Sequence, residues 1–542
     1  MHQNVLMKDR FFIRVLLFIL SIVFLAECAK RGRPEGGPKD EDAPIMVTAK
    51  PPHFTTNFRE KEIKIYFDEY IKLKDLQTQL VVSPPLKYQP IIVPQGTPSK
   101  YISIKILDTL KSNTTYTFNF GESVIDNTEG NILHNFKYVF STGDIIDSLK
   151  VNGTVKDAFE READKNITVM LYEFNKEFTD SIIYKEKPLY VANTLDTTAW
   201  EITNIKEGKY LLVGLKDVAK NYLFNPKNDK IGFVKEVISV PKDTSYTLNL
   251  FEETLPFKLQ RVAEAKKNKM LIGYEGEIDS IKIEPLFGPD DFESITLFEK
   301  TKDTANVWFK GSVADSLLFR VKTGNVIDTA KVMLRSKEID SLQISINAKG
   351  VLNLRDHIKI AGNIPLQSID TSKVYFVDKD TLKVPYSYQL KKEKTEAFVE
   401  IDFDKKYNDK YNLTLYPDAV TDFLGNANKD TLNFNFTTKK PTDYGNLYLT
   451  LQNVKSYPII VQLITEKGEL IEEIYATEQQ EYNFTNLPPT KYLVRVIYDD
   501  NKNKKWDAGN FLQKIQPEKV IYYPTVLDIR ANWDMSETFV LE

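Results

Sequence analysis

Asp499, Asn501, Asn503 and Asp507 stand at positions 1, 3, 5 and 9 of the run DDNKNKKWD. Oxygen-bearing side chains at alternate positions of a tight loop suit a hard cation, and calcium is the ion such spacing serves. The run lacks the glycine at position 6 and the glutamate at position 12 that complete a calcium loop, and Lys502, Lys504 and Lys505 crowd it. An Asx-rich turn closed by its own hydrogen bonds accounts for the same residues without a metal. The chain holds one cysteine, Cys28, directly after the apolar run Val15 to Ala26 and Glu27. Three histidines follow it, His53, His134 and His357, far apart in sequence, which disfavours a His-rich zinc site or a Ser-His-Asp array. GxSxG, P-loop and GxGxxG patterns do not occur. Asp68-Glu69 and Asp290-Asp291 are acidic pairs of the kind glycosidases use, but adjacent carboxylates more often mark solvated strand ends. The many Phe and Tyr residues are either a sugar-stacking platform or sandwich core.

These side chains need a scaffold, and composition says which kind. The chain has 542 residues, 72 basic against 76 acidic, a net charge of −4. That near-neutral balance argues against a nucleic-acid partner, since phosphate binding needs a basic field. A hydrophobic content of 42% fills several cores and is too low for a polytopic membrane protein. Val, Ile, Thr, Phe and Tyr recur in short alternating runs, EIKIYF at 62–67, YISIKI at 101–106 and TYTFNF at 115–120, the period of half-buried strands. A single cysteine leaves no disulfide within the chain, so packing must supply stability.

The N-terminus reads as an address. Lys8, Arg10 and Arg14 precede the twelve apolar residues of 15–26, shorter than the roughly 20 needed to cross a bilayer. A leader that ends on a lone cysteine resembles a bacterial lipoprotein signal, with Glu27 in place of the usual small residue. The resemblance implies removal of residues 1–27 and a diacylglycerol anchor, with further acylation, on Cys28. Several chains are needed for stable anchoring. Residues 28–44, rich in Gly and Pro, read as a flexible tether. The stretch CAKRGRPEGGPKD resembles the start of Bacteroidota lipoproteins that carry bacterial Ig-like domains. Asp40-Glu41-Asp42 is open to reading as a surface-export signal or as a solvated linker.

Downstream, 45–145 resembles a bacterial Ig-like domain of the surface-layer type, on Pro51-Pro52, Phe67-Asp68-Glu69, the NTTYTF strand, the Asp126 turn and the closing FST. YNLTLYPDAVTDFLGNANKD, from Tyr411, repeats the pattern from Tyr116, which marks 346–440 as a second such domain. ITNIKEGKYLLVGLKD, ending at Asp217, and FTNLPPTKYLVRVIYD, ending at Asp499, match at Thr203/Thr485, Asn204/Asn486, Lys209/Lys491, Tyr210/Tyr492, Leu211/Leu493 and Asp217/Asp499. Both resemble transthyretin-like, carboxypeptidase-regulatory sandwiches, covering 149–250 and 444–542. A middle unit, 255–345, opens with a helix at Leu259 to Met270 and continues as strands. The expected fold is all-β: tandem, self-contained sandwiches strung like beads.

The resemblance implies a non-enzymatic outer-membrane lipoprotein, a multidomain β scaffold or protein-binding subunit. Its partners would be membrane lipid, through the acylated N-terminus, and envelope proteins, a β-barrel complex among them. A surface lipoprotein that binds glycan is the alternative. The periplasmic and cell-surface faces of the membrane both stay open.

Overall fold

The computed structural model describes residues 39–542, apart from 243, 288, 289 and 314. The leader, Cys28 and residues 28–38 of the tether lie outside the described residues. Among the described residues no helix is long and apolar enough to cross a membrane. The described residues are all-β, as the alternating runs require, and hold besides strands a four-residue helix at Leu76–Gln79 and three short 3-10 turns. It divides into two compact units: one runs to Ile145 without Val82–Pro85, and the other holds those four residues and Ile146–Glu542.

In the first unit, Glu62–Leu73 alternates buried Ile63, Ile65 and Phe67 with outward Lys64 and Tyr66. It pairs antiparallel with Met46–Lys50 and Ser99–Lys105, and its far end with Val124–Asp126. Thr115–Asn119 pairs with Lys137–Ser141, and their Tyr116, Phe118, Tyr138 and Phe140 are buried. The tether gives way to structure earlier than expected. The Asn131 side-chain amide donates to the Asp40 and Asp42 carbonyls at 3.0 and 2.9 Å, so this end of residues 28–44 lies bound to the domain.

Residues 346–440 repeat that design. Ile358–Gly362 pairs with Ala397–Phe403, and Leu366–Ile369 with Val420–Asp422. The single long strand of the first copy is therefore broken in two. Local chemistry repeats too. The Tyr116 and Tyr411 hydroxyls each accept the N–H five residues earlier, from Lys111 and Lys406, both at 2.9 Å. Thr142 and Thr438 donate to those same residues' carbonyls. Asp126 accepts the N–H groups of Thr128, Glu129, Gly130 and Asn131, and Asp422 those of Leu424 and Asn426. A buried carboxylate at the head of each turn thus satisfies donors that would otherwise be orphaned.

The pair ending at Asp217 and Asp499 shares one eight-strand topology. In the first copy Thr168–Glu173 and Gly208–Lys216 form the centre of one sheet, flanked by Tyr190–Asn193, Lys230–Phe233 and Ile238–Val240. Leu149–Asp157 centres the other, between Ala199–Ile205 and a parallel Ser245–Leu250. In the second copy Ile459–Thr465, Thr490–Tyr498 and Gly445–Gln452 take the three central places, and Asp534–Val540 is the parallel partner. Tyr210 and Tyr492 each donate to a carbonyl four residues back, Lys206 and Pro488.

The helix expected at Leu259 to Met270 is a β-hairpin. Lys258–Lys266 and Lys269–Glu275 pair across the two-residue turn Lys267-Asn268, and Asn268 takes a φ of 63°. Asn tolerates the left-handed conformation that tight hairpin turns demand. Met270 and Ile272 join Val307, Phe309, Phe319 and Val321 in this unit's core, a two-residue period that a helix would scatter.

Nor are the sandwiches of residues 146–542 separate beads. Lys227 pairs with Glu275 at 2.7 Å and Lys505 with Asp279 at 2.5 Å. Leu297 and Trp308 pack with Ile364, Ala397 and Phe423, and Arg355 pairs with Glu472. The last sandwich also returns to the first of this unit. The joint at Leu297, Trp308, Ile364, Ala397 and Phe423 hides apolar surface that an isolated sandwich would leave wet.

Burial pushes the Asp126 carboxyl up, but its four N–H donors outweigh burial and hold it below its ordinary value. A depressed folded pKa means its contribution is full above about pH 3.9 and is lost as pH falls through the lower folded value. Asp126→Ala should cost about 1–3 kcal/mol through the stranded donors. Hydrogen exchange at residues 124–131 should speed accordingly, and unchanged exchange there would refute the assignment.

Candidate functional site

The chemistry-bearing loops of the two repeated sandwiches both follow the central strand that ends in Asp217 or Asp499. Asp217 Oδ2 accepts the Tyr222 N–H at 2.6 Å. Asp499, fully buried, accepts Asn503 N–H at 3.0 Å on one oxygen and Lys504 N–H at 2.9 Å on the other. A second acid closes each loop from its far end. Asp229 takes the N–H groups of Val218 and Asn225 at 3.0 and 2.8 Å, and Glu518 those of Asp500 and Asp507 at 2.8 and 3.0 Å. Burial pushes Asp217 and Glu518 above the ordinary carboxyl range, partly offset by these donors. Asp229 and Glu518 escaped the sequence reading. The signal was there, an acidic residue shortly before the next strand in both copies.

The structure brings Asn501, Asn503 and Asp507 together, but with donors facing the acid. Both asparagine amide nitrogens donate to Asp507 Oδ2 at 2.7 Å. Their carbonyl oxygens accept the Asn503 and Lys505 N–H groups instead. Asp499 sits at the back of the turn with both oxygens occupied. A hard cation needs several oxygens converging on one point. As placed, these residues do not fit one, and the loop closes on its own Asx turns. Among the described residues no cluster of three or more His, Cys, Asp or Glu side chains is placed to hold a metal. The remaining candidates are dispersed. His134 faces Glu122 and His357 faces Asp402, while the ring of His53 packs against Phe54 and Tyr138. Asp68 accepts the Ile45 N–H at 2.9 Å.

What the second loop does is dock. Past Asp507 it forms a small hairpin in which Asn510 and Ile515 exchange both backbone hydrogen bonds. The tip, Phe511, is fully buried with its ring edge-on to Phe233 at 5.3 Å. Phe511 N–H donates to Glu253 at 2.6 Å, and burial pushes that carboxyl up. Gly509 lies so close to the Phe251 ring that a Cβ there would stand 2.5 Å from it. Lys514 pairs with Asp180 at 2.6 Å, and Gln516 donates to the Phe233 carbonyl. Beside the hairpin, Trp506 packs on Phe159 at 4.7 Å, and the Arg495 guanidinium lies 4.0 Å from the same ring's centre. Tyr522 donates to the Phe159 carbonyl and Arg161 to that of Pro524. Apolar insertion, close glycine approach and polar seams together make a specific interface between sandwiches that are far apart in the chain.

Phe511→Ala should empty the contact with Phe233 and cost about 3–5 kcal/mol, as other buried Phe truncations do. Limited proteolysis should then cut within 507–518 while both sandwiches stay folded. Protection equal to wild type would show that the hairpin does not hold the joint. Millimolar calcium should leave the thermal midpoint where it is. Saturation at a hundred times Kd would add about 2.7 kcal/mol, so a rise of several degrees would restore the cation.

Residues 40–142 match the model of a family described as a bacterial Ig-like domain. No curated protein sequence matches the chain. Among solved structures the chain is similar to domains 1–6 of the surface layer protein SbsC, at 10% identity and a TM-score of 0.14, covering 90% of this chain and 67% of that one. It is similar to the Bacillus anthracis TIE protein at 10% identity and 0.15, covering 94% and 76%. It is also similar to BcpA, the major pilin subunit of Bacillus cereus, at 8% and 0.14, covering 72% and 99%. Superpositions at that level carry no functional argument. The chain contains a bacterial Ig-like domain, followed by further β-sandwiches.

Proposed function

We propose that this chain is a non-enzymatic, multidomain β scaffold or protein-binding subunit. It is anchored to the outer membrane by lipid on Cys28 and accessory to an envelope β-barrel complex. The observation that carries the scaffold reading is the closed set of contacts among the sandwiches of residues 146–542. A chain that uses Arg495, Phe511 and Glu253 to fix domains against one another is suited to presenting surfaces at set positions. Exposed sheet borders supply such surfaces. Tyr386–Lys392 is an outermost strand, with Tyr388 and Leu390 exposed and lysines at its end. Unpaired edges of this kind accept a partner strand, and lysines guard them from indiscriminate pairing.

A second reading rests on one face of the first unit. Tyr66 and Tyr101 lie opposite each other on neighbouring strands, ring centres 5.7 Å apart, and Tyr70 and Tyr88 are exposed in the same unit. Exposed tyrosines suit stacking against sugar rings, which is the glycan-binding alternative.

Affinity purification from detergent-solubilised envelope tests both. The scaffold reading expects a membrane protein to co-purify at native expression, and expects Cys28→Ser to lose both the lipid mass and the membrane fraction. Recovery of the protein alone would sink it. Polysaccharide in place of protein, lost on Tyr101→Ala, would favour the second reading.

A further inference from the structure

A cavity of about 310 Å³ opens beside the docked hairpin, built where one strand of the first repeated sandwich breaks. Gly208–Lys216 pairs with Lys230–Phe233 through Val213 and with Ile238–Val240 through Tyr210. Between these two stretches, residues 235–237 leave the sheet. Leu211 points to the face opposite the core, which takes Tyr210 and Leu212, and lines the bottom of the cavity, almost fully buried. Phe174 and Phe178, rings 4.9 Å apart, make one wall, and Val237 another. The rim is charged. Lys235 stands exposed without an ion-pair partner among the described residues. Lys514, brought from the last sandwich, shares Asp180. Two ammonium groups against one carboxylate leave the mouth positive above an apolar floor.

We infer that this cavity binds a small carboxylate with an aromatic or short aliphatic body, the body on Leu211, Phe174 and Phe178 and the carboxylate at Lys235. Pockets of this size at domain joints, apolar with one or two placed charges, are where small ligands bind. Lys514 is answered by Asp180, so the exposed Lys235 is the ammonium left for a carboxylate, and a cation would meet a rim of net positive charge. The floor belongs to one sandwich and Lys514 to another, so an occupant bridges the joint and holds the hairpin in place.

The test uses the full chain and two probes of one shape, 4-phenylbutyrate and 4-phenylbutylamine. Calorimetry should find 4-phenylbutyrate bound and the amine not. Lys235→Glu, a substitution at an exposed site, should weaken the acid about tenfold while the thermal midpoint stays put. Hydrogen exchange at residues 510–516 should slow on addition of the acid. Failure of the acid to bind, equal binding of acid and amine, an unchanged affinity in Lys235→Glu, or binding that leaves exchange at 510–516 unaltered would each overturn the assignment.

Discussion

The burial of Phe511 against Phe233, with Gly509 set close on the Phe251 ring, is the contact on which the larger unit depends. With one cysteine in the whole chain, no disulfide can cross-link the sandwiches, and each joint rests on packing, ion pairs and hydrogen bonds. A chain of separate sandwiches would leave each free to swing on its linker, which is the default for domains joined by small polar contacts. Here the last sandwich reaches back across two others, and its hairpin seals an apolar seam. Ordering so long a loop costs entropy that grows only slowly with its length. A single well-packed aromatic anchor with a polar surround is therefore enough to offset it.

The seam also explains how two copies of one design came to meet without being interchangeable. Across the outer face of the second copy, Glu473, Gln462, Arg495 and Tyr522 stand side by side on four neighbouring strands. They form a continuous row: Gln462 donates to Glu473, and Arg495 donates to Gln462 and Tyr522. The corresponding row of the first copy is Val191, Met170, Val213 and Phe233, all buried. One face is thus apolar and the other a polar ladder. The ladder ends on Phe159 of the first copy, through its ring and its carbonyl. Two identical faces would have invited association between copies of the chain as readily as within it.

How much of this the sequence could reveal follows from distance along the chain. The strands were legible because alternation at 62–67, 101–106 and 115–120 is local. The repeats were legible because Tyr116 and Tyr411, or Asp217 and Asp499, do the same local work in each copy and so keep the same spacing. The hairpin at 258–275 was misread because Leu259, Val262 and Met270 imitate a helical stripe, while the deciding residue, Asn268, acts through its backbone conformation. The docking was invisible. Phe511 sits in a loop with no periodicity, and its partners Phe233, Phe251 and Glu253 stand more than two hundred residues earlier. The Asp499 loop illustrates a different limit. Residue types at alternate positions say that oxygens are near one another, but not whether oxygens or amide nitrogens turn inward.

The last step concerns why the joint keeps charged and polar groups at all. A buried arginine is costly unless every donor finds an acceptor, and an apolar replacement of equal volume is often no less stable. Arg495 is answered by Gln462, by Tyr522 and by the face of Phe159, and its neighbour Tyr522 reaches the Phe159 carbonyl. Apolar contact at Phe511 supplies attraction but tolerates sliding by a fraction of a ring. Directional bonds do not, because a shifted sandwich would leave buried donors and acceptors unmatched. Attraction from the aromatic anchor and registry from the polar ladder are thus separate contributions. Both are needed to keep the sandwiches of residues 146–542 in one arrangement.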